Sequence, residues 1–277
     1  MAIANARERR PAGVPSFLRT FWTNAVIAPR TSLGFMRLDF VLGTIFVIPL
    51  TQMVFFVFVV KLDGGGASEI AFTAIGNAVA TVTYSSVFSV CQTTDSEKEQ
   101  GTMEHLLVSP SNRTAMYFGR GLIPILVSLA TVTVGLVYAV TLFGVVISVA
   151  ALPAVAVSIV LTAFAMVAFG LLLGGVALYL RTSIILGNIF LFIGLLLSGV
   201  NFPVSQLPVP LQYVGDALPL TWGLAAIRAA IAGESIGALG ILWLAVAIAA
   251  AVSFGLAIGL WKVFERRALS TGSIARF

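Results

Sequence analysis

Charge is scarce in this sequence: Asp, Glu, Lys and Arg make up 10% of residues, against 59% hydrophobic. The groups most enzymes use for chemistry are nearly missing. Cys91 is the only cysteine, which excludes an intrachain disulfide and a thiolate metal cluster. His105 is the only histidine, so a zinc site is not expected either. Lys61, Lys98 and Lys262 are the only lysines, and they precede Leu62, Glu99 and Val263. A phosphate-binding loop ending in Lys followed by Ser or Thr is therefore absent, and with it the means to hydrolyse ATP. The N-terminus is not expected to be a signal peptide either: Arg7, Arg9 and Arg10 lead into Pro11, Gly13 and Pro15 instead of a short apolar core.

What fills the sequence is apolar. Mean hydropathy is +1.04, and several runs of about twenty apolar residues exceed what a soluble core would need. An all-α integral membrane protein fits. The formal charge of +5 and pI near 9.8 would point to nucleic acid in a soluble chain. Here the basic residues sit beside the ends of the runs, where they act as topology signals, and no nucleic-acid partner is expected.

The runs place six spans near 39–61, 70–92, 117–148, 152–180, 183–200 and 238–262. Asp63 with Gly64, Gly65 and Gly66 makes the first turn, Ala151-Leu152-Pro153 breaks the third run from the fourth, and the fifth is barely long enough to cross. Beyond it, 202–230 is apolar but interrupted by Pro203, Pro208, Pro210 and Pro219. That segment is too broken for a straight span and too apolar for a free loop, so a re-entrant or interfacial helical hairpin fits. Ahead of the first span, Phe17, Leu18, Phe21, Trp22, Ala25 and Val26 share one helical face, while Ser16, Arg19, Thr20, Thr23 and Asn24 take the other. This reads as an amphipathic helix within 14–32, lying in the membrane interface. With the N-terminus inside, only Lys61 and Arg228 of the basic residues fall outside. An odd number of spans would carry Lys262, Arg266, Arg267 and Arg276 outside as well.

No Asp, Glu, Lys, Arg or His falls near the middle of any of these spans. Ion-coupled transporters commonly hold ionisable groups within the membrane, and an intramembrane hydrolase needs a nucleophile with its base. Ser85, Ser86, Ser89 and Thr93 have no such base and read as helix-packing residues. An ion-coupled secondary transporter or channel stays open, because neutral groups and carbonyls also bind Na⁺. A membrane enzyme or assembly factor stays open too. Uphill transport by such a chain needs energy from a separate ATPase, and the polar loop at 94–112 is the largest cytoplasmic feature between spans. In it, Ser96 and Glu99 have capping-box spacing, Met103, Leu106 and Leu107 form an apolar stripe, and Ser109-Pro110 ends the segment before Ser111 and Asn112. The stripe either seats in a groove on an ATPase or packs beneath its own membrane domain.

The segment Glu97-Lys98-Glu99-Gln100-Gly101-Thr102-Met103-Glu104-His105-Leu106-Leu107-Val108-Ser109-Pro110 resembles the E-x-E-x-G-T-x-E-x-L-x-x-[ST]-P stretch between the second and third spans of type-2 ABC exporter permeases. Leu197-Ser198-Gly199-Val200-Asn201-Phe202-Pro203, then Leu207-Pro208 and Leu218-Pro219-Leu220-Thr221, is similar to the family's fifth span and the outer hairpin after it. The resemblance covers essentially the whole chain and implies one transmembrane domain over 1–277. Its fold would be six transmembrane helices with an N-terminal interfacial helix and an outer re-entrant hairpin. It further implies that 95–110 is the coupling helix region on the ATPase, with Glu97, Gly101, Thr102, Glu104, Leu106 and Leu107. The N-terminal helix, with Phe17, Arg19, Phe21 and Trp22, would be the connecting helix.

By the same resemblance, a nucleotide-binding ATPase subunit binds ATP and Mg while this chain holds no cofactor. A second permease copy, identical or related, completes a homodimer or heterodimer in the lipid membrane. Substrate passes between the copies, lined mainly by the second and fifth spans, where Asn77, Tyr84, Phe88, Asn188, Phe192 and Asn201 are the candidates. The hairpin, with Phe202, Pro203, Pro208 and Pro219, is a gate or platform. The family places the protein in the bacterial inner membrane with both termini cytoplasmic. Spans rich in Val, Leu, Ile, Ala and Phe favour export of a hydrophobic or amphiphilic substrate: a drug, antibiotic or lipid. A polysaccharide or lipid-linked glycan is the alternative, for which aromatic platforms or polar rows are expected.

Overall fold

The computed structural model describes residues 42–92, 119, 121–177 and 183–271, which are almost entirely helical and include no strand. The helices are α1 Gly43–Leu62, α2 Ala67–Gln92, α3 Leu122–Phe143, α4 Leu152–Ala177, α5 Ser183–Leu197, α6 Val209–Asp216, α7 Pro219–Ala232 and α8 Ile236–Thr271. The helical segments containing α1, α2, α3, α4 and α8 are each long and apolar enough to cross a membrane.

The centre of the bundle is α2, in which every residue from Thr73 to Thr83 is buried. Small side chains make this possible. A Cβ on Gly135 of α3 would lie 2.9 Å from the Ala78 Cα, and one on Gly170 of α4 would lie 3.0 Å from the Ser86 carbonyl oxygen. Lipid tails are as apolar as leucine, so helices in a membrane associate through such close packing and through hydrogen bonds. The same logic explains the periphery. On α1, Phe55 is 61% exposed and Leu62 85%, and on α8 Ile241 is 71% exposed. These faces suit a hydrocarbon surround and need no protein cover.

Loop chemistry sets the helix ends. Gly64, in the left-handed region at φ 80, turns the chain after α1, and the Glu69 carboxylate accepts from the Gly66 N–H at 3.0 Å, placing negative charge at the start of α2. The third apolar run continues to 148, yet α3 closes at Phe143. Gly144 adopts φ 69, and the Val145 N–H reaches back to the Ala139 carbonyl at 3.1 Å, a glycine-terminated helix end. Hydropathy continues past a stop that only backbone conformation imposes.

At 15 residues, α5 is about 22 Å long, short of a hydrocarbon core of about 30 Å. It nevertheless runs antiparallel to α2 over most of that helix's length. Gly187 lies against Phe88 and Cys91, Gly194 against Thr83, and Val200, just beyond α5, against Gly76. The chain then folds into the α6–α7 pair, bent by 82°. Both ends of this pair stay at one end of the bundle, because α7 touches α2 and α4 within three turns of their first residues and α8 starts beside it. The pair therefore begins and ends at the same end of the bundle, and α5 leads to it from the opposite end.

Candidate functional site

The hairpin end carries the densest polar structure among the described residues. The bend itself is fixed by α7 side chains that cap the end of α6. Trp222 Nε1 donates to the Asp216 carbonyl at 2.7 Å, and the Thr221 hydroxyl donates to the Gly215 carbonyl. Gly215 in turn packs on the Leu197 carbonyl, where a Cβ would not fit. Pro219 is buried at the first position of α7, where its missing N–H costs nothing. Phe202 is partly buried, while Pro203 and Pro208 are exposed.

Below the bend sits an amide cluster. Asn77, fully buried on α2, donates from Nδ2 to the Asn201 side-chain oxygen at 2.8 Å and to its own helix at Thr73 O, 2.9 Å. Its Oδ1 accepts from Gln52 Nε2 of α1 at 3.2 Å. The cluster thus joins α1, α2 and the mouth of the hairpin.

Beside it lies Arg228 of α7. Its Nη1 donates to the Gly199 carbonyl at 2.7 Å, and its Nη2 donates to the carbonyls of Phe72 at 2.9 Å and Val200 at 3.0 Å. The guanidinium stacks on the Phe72 ring, 3.4 Å from its centroid. Every one of these bonds ends on a carbonyl oxygen. Desolvating a guanidinium is costly, and charge-assisted bonds with a cation–π contact of about 2 kcal/mol or more offset that cost only when all are made together. Gly76 completes the fit, since a Cβ there would run into the Val200 carbonyl and the guanidinium.

In the last third of α2 the helix widens into a π-helical turn, Tyr84–Phe88. Such turns leave a carbonyl poorly served, and the Ser85 hydroxyl lies 3.1 Å from the Thr81 carbonyl and 3.3 Å from that of Val82. Ser128 Oγ of α3 sits 2.8 Å from Ser85 Oγ and 2.9 Å from Ser86 Oγ. These serines bind one another, and among the described residues no base is hydrogen-bonded to them, which is packing chemistry. Tyr84 and Phe88 stack at 5.0 Å along the α2 face that α5 covers in part. In the same seam the Thr83 and Ser198 hydroxyls are buried without a hydrogen-bond partner.

Of the residues singled out from sequence, Asn77 and Asn201 are brought together, and Tyr84 with Phe88. Asn188 is partly buried on α5. Phe192 points away from the bundle, 68% exposed on a stripe with Ile185, Ile189 and Leu196. Glu97, Gly101, Thr102, Glu104, Leu106 and Leu107 of the polar loop lie outside the described residues, as do Phe17, Arg19, Phe21 and Trp22 of the N-terminal helix. Sequence reading missed Gln52, Phe72, Gly76 and above all Arg228, which it treated only as a topology charge. The available signal was its isolation, since no other basic residue lies between Arg181 and Lys262.

Among the described residues, charges collect at the two ends of the bundle. Lys61, Asp63, Glu69, Asp216, Arg228 and Glu234 lie toward the hairpin end, and Lys262, Glu265, Arg266 and Arg267 lie at the far end of α8. No cluster of three or more His, Cys, Asp or Glu with metal-holding geometry occurs among the described residues. The family model of the ABC-2 type transporter matches residues 24–232, three-quarters of the chain. No curated protein matches it.

Proposed function

We propose, since this chain belongs to the ABC-2 type transporter family, that it exports a hydrophobic or amphiphilic substrate such as a drug, antibiotic or lipid. The family makes the chain a multi-pass membrane permease component of an ABC transporter, the membrane part and not the ATPase. In our reading a nucleotide-binding subunit binds ATP and Mg and presses on 95–110, with the helix in 14–32 lying against the same subunit. Two permease copies, identical or related, enclose the path. The hairpin is the outer gate or platform, in a bacterial inner membrane with both termini cytoplasmic.

The family match over 24–232 carries this reading, because it takes in α1 to α7 together with the polar loop. Charge supports the orientation. Among the described residues, Lys61 and Arg228 lie toward the hairpin end, against Lys262, Arg266 and Arg267 at the far end of α8, and the excess of Lys and Arg favours the latter inside. Apolar spans support an apolar cargo, since each desolvated polar group in the path would need a partner. The test is purification of the full chain with proteins encoded beside it. A nucleotide-binding ATPase is expected to co-purify, and Glu104→Lys is expected to abolish that association or the stimulated hydrolysis. Retention of both in a variant with 97–107 disrupted would refute the docking assignment.

A further inference from the structure

We infer that Arg228 is a positioning residue of transport: a latch that binds α7 to the start of α2 and to the turn after α5, so that the hairpin moves with those two helices. The inference rests on reading the hairpin as a gate, and names what moves it.

The bonding of α7 is lopsided. Toward α2 and α5 it makes the guanidinium bonds to Phe72, Gly199 and Val200, reinforced by the Phe72 ring. Gly199 and Val200 follow the C-terminus of α5, where carbonyls lack intrahelical donors and welcome a cation. Toward α4 the packing is more extensive but carries no charged bond among the described residues. Gly223 packs on Thr162, and the polar contact between α7 and α4 among the described residues is a long one, Ser158 Oγ to the Ala226 carbonyl at 3.5 Å. Ser158 is better engaged elsewhere, accepting from Trp243 Nε1 of α8 at 2.8 Å. Charge-assisted bonds thus hold the hairpin to α2 and α5, whereas close packing and one long neutral hydrogen bond seat it on α4. A packed, uncharged interface allows small sliding at the loss of little polar bonding, and a guanidinium shared by three carbonyls does not. A push that tilts α2 would reach the gate through Phe72 and Arg228, and the hairpin would slide along α4.

The full chain in lipid nanodiscs, followed by amide hydrogen exchange, tests this directly. Arg228→Met removes the fork and the charge, while Gly76→Ala keeps the charge and displaces the same bonds by sterics. Both are expected to accelerate exchange at 199–218 about tenfold or more, leaving α3 unchanged. Arg228→Lys is not expected to restore protection, because a single ammonium nitrogen lacks the two-nitrogen fork that reaches Gly199 from Nη1 and Phe72 and Val200 from Nη2, and has no planar face to stack on the Phe72 ring. In the complex with its ATPase, trapping the nucleotide should alter exchange at 67–76 and 199–218 together in the wild type. In Arg228→Met it should alter 67–76 alone, a separation that a residue of merely structural importance would not produce. Unchanged hairpin exchange in Arg228→Met, restoration by lysine, or acceleration spread evenly over all helices would overturn the latch. If no ATPase associates, the permease reading fails, while exchange in the isolated chain still judges the latch.

Discussion

Replacing Asn77 with leucine removes the junction of three segments while keeping the number and branching of side-chain heavy atoms. Two of the bonds lost are between segments, to Asn201 at 2.8 Å and from Gln52 at 3.2 Å, and the third stays within α2. Interhelical hydrogen bonds in a membrane average about 0.6 kcal/mol with a ceiling near 1.7, so Asn77→Leu should cost about 1.2 kcal/mol and at most about 3.4. That is roughly an eightfold shift in the folding equilibrium at the central value. Asn201→Ala loses only the shorter bond, and the double mutant should show a coupling energy of about 0.6 kcal/mol. The assay is reversible unfolding in mixed micelles, titrated with denaturing detergent and followed by tryptophan fluorescence. Asn188→Leu serves as the control, expected to stay within about 0.5 kcal/mol of wild type. If Asn77→Leu is as stable as wild type, or if its effect simply adds to that of Asn201→Ala, the amide cluster does not fasten the hairpin mouth to α2.

Two further outcomes follow from the geometry. Gly170→Val would force a side chain onto the Ser86 carbonyl, 3.0 Å from the new Cβ, and onto the Val87 Cα at 3.3 Å. It should cost about 1–3 kcal/mol in the same unfolding assay, and wild-type stability would refute the α2–α4 packing. In a Cys91→Ser background, Val146→Cys, at a position 85% exposed in the α3–α4 loop, should react with an impermeant maleimide added to intact cells. Glu99→Cys should react only after permeabilisation, and the reverse pattern would invert the proposed orientation.

Much of the architecture was legible because membrane helices declare themselves by length and apolarity. The prolines at 203, 208, 210 and 219 likewise mark a segment that cannot be one straight helix. Hydropathy did not see the α3 terminus, because Gly144 is as neutral as its neighbours and stops the helix through its backbone angle. Reading the polar node was harder. Asn77 and Asn201 drew notice as rare amides in apolar runs, but nothing in the sequence shows that residues 124 positions apart share a hydrogen bond. Arg228 looked like an outer loop charge because its acceptors are main-chain carbonyls, which every residue has, one of them 156 positions away at Phe72. The partners of an ion pair leave a trace in composition. The partners of a carbonyl-bound arginine leave none.

The central claim is that this chain is a gate driven by another protein's ATP hydrolysis. Its most direct test is reconstitution of the chain in sealed vesicles with and without the co-purifying ATPase, with flux of a fluorescent amphiphilic drug or a labelled lipid as the readout. Accumulation or translocation is expected only with the ATPase present and ATP supplied on its side, and is expected to survive collapse of ion gradients. Transport by the chain alone, driven by a proton or sodium gradient, would contradict the account.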